Sequence, residues 1–144
     1  MDLWFTEKHT DDVNFTIRVK KQLYSKKSYY QEIDVFDTYE FGRVLVLDGF
    51  IMLTEKDEFI YHEMVTAVPM AVNPEIKKVL VIGAGEGGSI RELCRYNTIE
   101  KIDMVEIDEQ VVNVCKEYLP QTACAFDDPR LTLYIEAVSY THLR

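Results

Sequence analysis

The sequence predicts a small antiparallel β-domain followed by the first half of an α/β, Rossmann-like domain. Three observations carry this reading. Apolar residues alternate with period two up to about Asn73-Pro74; beyond it, short apolar runs alternate with helical stretches; and a glycine-rich loop joins the first such run to the first such helix.

The elements follow in order. Phe15, Ile17 and Val19 alternate with Thr16, Arg18 and Lys20, and Ile33 and Val35 alternate with Glu32 and Asp34, the pattern of half-buried antiparallel strands. Gly42 closes a turn before Arg43–Leu47, and Asp48-Gly49 leads into a further run from Phe50 to Leu53. An Asp-Gly pair between two apolar runs signals a tight hairpin, because a type I′ turn needs positive φ at both central positions. Thr54 followed by Asp57 reads as a helix N-cap with an acidic N3, and Ile60, Met64, Ala67 or Val68, and Ala71 mark one apolar helical face that Pro69 should kink or stop. Lys78–Ile82 suits a strand buried on both faces of a parallel sheet. After the glycine loop come a helix from about Ser89 to Tyr96, a strand Ile102–Glu106, a helix from about Glu109 to Leu119 and a strand Leu131–Ile135. This βαβαβ order opens a doubly wound fold, in which ligands sit beyond the carboxyl ends of the strands.

Composition narrows the partners. The 144 residues carry 25 Asp plus Glu against 16 Lys plus Arg, a formal charge of −9, and 47% are apolar, enough for a core. Negative charge with no run of Lys and Arg argues against nucleic acid and anionic membrane, since it repels phosphates and forfeits counterion release. No apolar run approaches the roughly 20 residues of a spanning helix, and the start lacks a signal-peptide pattern, so the expected location is cytoplasmic. Cys94, Cys115 and Cys124 are widely spaced and form no C-x-x-C pair, which suits packing thiols better than a disulfide framework or zinc.

Gly83-Ala-Gly-Glu-Gly-Gly88 fits G-x-G-x-x-G, with Gly83, Gly85 and Gly88 in the three motif places and Gly87 beside them as further candidate ligand-binding backbone. Glu106 ends the next strand twenty-three residues after Gly83, where a carboxylate can accept hydrogen bonds from both hydroxyls of a ribose. Glu86, inside the loop, bears on the kind of nucleoside. A carboxylate there would repel a dinucleotide pyrophosphate and favour a sulfonium or ammonium, which points to an S-adenosyl-type ligand rather than NAD.

Taken together, Leu3-Trp-Phe-Thr-Glu7, Ser28-Tyr-Tyr-Gln-Glu32, Gly42–Gly49, Asp57–Met64, the glycine loop with Arg91-Glu92, Val105-Glu-Ile-Asp108 and Asp127-Asp-Pro-Arg130 resemble the spermidine synthases, the polyamine aminopropyltransferases, from Leu3 to Glu136. The resemblance implies an N-terminal β-domain joined to a domain of the S-adenosylmethionine methyltransferase type. It also implies transfer of an aminopropyl group from decarboxylated S-adenosylmethionine to putrescine, giving spermidine and methylthioadenosine. The donor is a co-substrate; no metal and no resident cofactor are implied, and a homo-oligomer is. By the same resemblance Gln31 contacts the adenosyl donor, Tyr61 and His62 lie on the polyamine side, and Glu106 binds the ribose. Neighbours on a helix point about 100° apart, so only one of Tyr61 and His62 can face a substrate squarely. Glu86 stands where the family usually has Asp, the residue that holds the ammonium of the aminopropyl arm; one extra methylene changes its reach by about 1.5 Å.

After Glu136 the resemblance stops. The expected division is a β-domain over 1–54, a connecting helix over 55–72, an incomplete nucleoside-binding domain over 73–136 and a non-native tail over 137–144. The family's catalytic base falls on no residue of this chain, so little activity is expected of it alone, and a parallel sheet of three strands with an apolar edge and uncovered faces is expected to be poorly soluble. Two other readings stay open: an S-adenosylmethionine-dependent methyltransferase, and a non-catalytic polyamine- or nucleoside-binding module.

Overall fold

The computed structural model describes residues 2–137. The chain divides into two compact units, Met1–Glu58 and Phe59–Arg144. The expectation for 137–144 lies, apart from Ala137, outside the described residues.

In the first unit, β1 (Leu3–Lys8), β2 (Asn14–Lys27), β3 (Glu32–Thr38), β4 (Arg43–Leu47) and β5 (Phe50–Thr54) form one antiparallel sheet in sequence order. Alternation does what it should: Ile17 and Val19 pack with Phe36, Val44 and Val46 on one face, while Thr16 and Arg18 point to solvent. The β4–β5 turn has φ 50° at Asp48 and 83° at Gly49, both positive as a type I′ hairpin requires. Strand β1 escaped the sequence reading because Leu3–Lys8 shows no alternation of its own; pairing with β2 makes it a strand. Its Glu7 is buried and accepts a hydrogen bond from the Ile51 backbone N–H (2.7 Å) beside a register shift between β4 and β5.

Helix α1 (Glu58–Val72) corrects three expectations. It starts at Glu58, four residues beyond Thr54, which closes β5 and donates its hydroxyl to the Asp57 carboxylate at 2.5 Å. It does not stop at Pro69 but runs on to Val72, forgoing the one intrahelical hydrogen bond that a proline cannot donate. The expected apolar face is the exposed one: Ile60, Met64 and Val68 lie open, and the buried stripe is Glu58, His62, Thr66 and Met70. That stripe also recurs every fourth residue, but it is mostly polar, so hydrophobic periodicity picked the wrong face.

Beyond α1 come β6 (Lys78–Ile82), α2 (Gly88–Cys94), β7 (Lys101–Glu106), α3 (Glu109–Tyr118), the short α4 (Pro120–Ala123), absent from the sequence reading, and β8 (Leu131–Ile135). The three strands are parallel in the order β6-β7-β8. Val79, Val81, Ile102, Met104, Leu131 and Leu133 share one face of the sheet and pack with Ile90 and Leu93 of α2 and with Met70. Strand β6 is not buried on both faces as expected: Leu80 and Ile82, which alternate with Val79 and Val81, are 40% and 61% exposed, and β6 is an edge strand. No helix among the described residues is long and apolar enough to cross a membrane.

Arg130 ties the start of β8 to the end of α2. Its guanidinium donates to the carbonyls of Cys94 (2.7 Å), Tyr96 (3.1 Å) and Ile99 (3.2 Å) and to both oxygens of Asp128 (2.8 and 2.9 Å). A helix C-terminus leaves carbonyls without intrahelical partners, and this side chain satisfies that of Cys94, the last residue of α2, together with two carbonyls of the segment that follows.

Candidate adenosyl-binding site

The glycine loop is held at both ends by backbone. Gly83 N–H donates to the Val105 carbonyl of β7 (2.8 Å), and Gly87 N–H donates back to the Ala84 carbonyl (2.9 Å). Ala84 at φ 67° and Gly87 at φ 85° turn the chain sharply into α2, whose Arg91 N–H then bonds to the Gly87 carbonyl. Positive φ at a non-glycine residue is uncommon and marks a loop whose path is fixed by its surroundings.

Glu106 is the best-anchored of the predicted site residues. It ends β7, is only 8% exposed, and accepts Gly85 N–H on Oε2 and Asp108 N–H on Oε1, both at 3.0 Å. Each carboxylate oxygen has a second lone pair, so two acceptor positions remain for a diol. A larger residue at Gly85 would push Glu106 or Val111 aside, since a Cβ there would sit 3.0 Å from Glu106 Oε2 and 2.9 Å from Val111 Cγ1.

The structure brings Glu86 to His62. His62 Nε2 lies 3.0 Å from Glu86 Oε1, with the ring 2% exposed and packed so closely under the α2 start that a Cβ at Gly88 would overlap it. Thr66 fixes the same turn by donating its hydroxyl to the His62 carbonyl (2.7 Å). Tyr61, one residue earlier, is 68% exposed, so the two side chains diverge as helical geometry demands. The buried Cys115 thiol of α3 is pushed up first by burial, then by the negative charges of Glu86 and Glu106, which places both carboxylates within electrostatic reach of one atom. Gln31 belongs to the first unit, in the loop between β2 and β3, where its backbone N–H donates to Ser28 Oγ (3.0 Å) and its carbonyl accepts from Ser28 N–H (2.8 Å).

Asp108 entered the sequence reading only as the last residue of the Val105–Asp108 block. It is 2% exposed and caps α3, accepting Gln110 N–H at 3.0 Å. An Asp directly before a helical stretch is an N-cap signal, and that signal could have found it. Among the described residues no group of three or more His, Cys, Asp or Glu could hold a metal ion.

Fold and loop together define an α/β protein with a carboxylate-bearing glycine loop at the carboxyl end of a parallel sheet, preceded by a β-domain. Residues 58–143 match the family model for the spermine/spermidine synthase domain, and residues 3–55 the model for the spermidine synthase tetramerisation domain. The chain belongs to the spermine/spermidine synthase family. It is 66% identical to a polyamine aminopropyltransferase of Clostridium perfringens and 64% identical to one of Alkaliphilus oremlandii, each over 94% of this chain and 48% of the relative. Among solved structures, spermidine synthase of Thermotoga maritima superposes with a TM-score of 0.91 at 43% identity, over 94% of this chain and 48% of that one. A spermidine synthase in complex with the transition-state analogue AdoDATO matches with the same score at 44% identity, over 93% and 46%. The chain thus spans about half the length of the curated relatives it matches.

Proposed function

We propose that this chain supplies the β-domain and the adenosyl-binding half of an aminopropyltransferase, which moves an aminopropyl group from decarboxylated S-adenosylmethionine to putrescine. One observation carries the reading: the loop that would cradle a ligand carries the Glu86 carboxylate, and a second carboxylate, Glu106, stands anchored at the neighbouring strand end. Matches to both family models, in the right order, support it.

In the proposed reaction the neutral primary amine attacks the carbon bonded to the sulfonium. A C–N bond forms, the C–S bond breaks, the sulfur leaves as the neutral thioether of methylthioadenosine, and the new ammonium sheds a proton. Catalysis then consists mainly of alignment and of keeping the attacking nitrogen unprotonated. Glu106 takes the ribose hydroxyls, Gln31 contacts the donor, Glu86 takes the ammonium of the aminopropyl arm, Tyr61 and His62 stand at the polyamine end, and the backbone at Gly83, Gly85, Gly87 and Gly88 lines the donor. The base that receives the proton is assigned to no residue of this chain. The reading includes a homo-oligomer assembled through residues 3–55, small-molecule partners rather than nucleic acid or membrane, and a cytoplasmic location.

A chimera of residues 1–136 with the remaining length of the Clostridium perfringens relative tests the proposal. It should form spermidine from putrescine and decarboxylated S-adenosylmethionine, while the 144-residue chain alone should not. A folded chimera that binds methylthioadenosine yet transfers no aminopropyl group would overturn it.

A further inference from the structure

We infer that Glu7 is a latch that closes the β-domain: its carboxylate joins the two edge strands, β1 and β5, and keeps the edge of β5 from pairing with another chain. Strands β1 to β5 pair in sequence order, so β1 and β5 each keep one unpaired edge, yet the two approach each other. Among the described residues no ladder joins them. Glu7 stands between them. It is 7% exposed and lies on the same face of β1 as Phe5, which packs against the core. Its Oε2 accepts the Ile51 N–H of β5 at 2.7 Å, across forty-four residues of chain, and its Oε1 lies 3.1 Å from His9 Nε2.

The register of β5 explains why that N–H is there to be taken. The two-residue Asp48-Gly49 turn closes on the pair Leu47 and Phe50, and hydrogen-bonded and non-hydrogen-bonded pairs alternate along an antiparallel ladder. In the next pair, Val46 and Ile51, the N–H groups therefore turn away from each other, and that of Ile51 points to the open edge of β5. A row of unpaired N–H and C=O groups is a template for another strand, and an inward-pointing charge is one of the devices that guard such an edge. A carboxylate suits the task, because it only accepts hydrogen bonds and here has a partner at each oxygen, which offsets its burial.

The test is hydrogen exchange of the 144-residue chain read at single amides, with thioflavin T binding beside it. In the unmodified chain the Ile51 amide should exchange as slowly as the amides of the central strand β4, although no strand pairs with it. Glu7→Ala should speed Ile51 exchange about tenfold or more while the β4 amides change by less than about threefold, since loss of the latch opens one edge locally. The same variant should form assemblies that bind thioflavin T at concentrations where the unmodified chain forms none. Glu7→Gln keeps an acceptor oxygen in place and should hold Ile51 exchange within about threefold of the unmodified chain. A fast Ile51 amide in the unmodified chain, equal acceleration of Ile51 and β4 in a Glu7→Ala chain that still folds, no gain in thioflavin T binding, or a Glu7→Gln variant no better than Glu7→Ala overturns the inference. If Glu7→Ala does not fold, the other two chains decide: slow Ile51 exchange in both supports the latch, and fast exchange in either overturns it.

Discussion

Glu86 carries the most specific expectation at the scale of single residues. Replacing it with Gln keeps the size and removes the charge, so decarboxylated S-adenosylmethionine should bind more weakly by about 1.5–3 kcal/mol, the worth of a hydrogen bond to a charged group. Methylthioadenosine affinity should hold, and calorimetry with both ligands reads the difference. Gly88→Ala should lower stability by about 1–3 kcal/mol in urea unfolding, because its methyl group would overlap the buried His62 ring. The thiols differ by environment. Burial, then the Asp128 carboxylate, pushes the Cys94 thiol up to about 11, burial raises Cys115 further, and Cys124 is exposed. A disulfide reagent at neutral pH should therefore find one fast thiol in the native chain and three in denaturant. The places of Glu106 at a strand end and of Glu86 in the glycine loop were readable because they are local facts of the sequence. The contact between Glu86 and His62 was not, because it joins residues twenty-four apart through tertiary packing.

Elements obey the same distinction between local and distant causes. The Asp48-Gly49 hairpin and the β6–loop–α2 unit are written in neighbouring residues and stand where the sequence places them. Helix α1 exists as expected, yet its buried stripe is polar, because His62 and Thr66 face partners that hydrophobic periodicity cannot see. The Arg130 clamp left no signal beyond its membership in the Asp127–Arg130 block. Replacing Arg130 with Met would remove the side-chain donors of the Cys94 and Ile99 carbonyls, one of two donors to the Tyr96 carbonyl and the guanidinium partner of Asp128, and should cost about 2–3 kcal/mol. The guanidinium, through its side-chain hydrogen bonds, holds the Asp128 carboxyl well below the usual carboxylate range. A carboxyl depressed in the folded state stabilises above its unfolded value of about 3.9, and that stability is lost as pH falls. Urea midpoints should therefore drop below about pH 4, and less steeply in Arg130→Met.

For the molecule as a whole, the division into a β-unit and an α/β unit was legible from the change of period near Asn73-Pro74, although the first compact unit ends at Glu58. What the sequence could not show is which apolar residues stay uncovered. Leu80 and Ile82 on edge strand β6, and Ile60, Met64 and Val68 on α1, are exposed together in the second unit. Exposed apolar surface beside an unpaired strand edge favours association, so sedimentation velocity on the 144-residue chain should show larger species growing with concentration. A single sharp monomer boundary at all concentrations would contradict this. The central claim, a loop built for a cationic adenosyl donor, is tested most directly by calorimetric titration of the chain with decarboxylated and intact S-adenosylmethionine side by side. A donor site of the proposed kind predicts at least tenfold tighter binding of the decarboxylated compound, because the carboxylate of the intact one would meet Glu86. Equal affinities, or tighter binding of the intact donor, would contradict it and favour a methyltransferase.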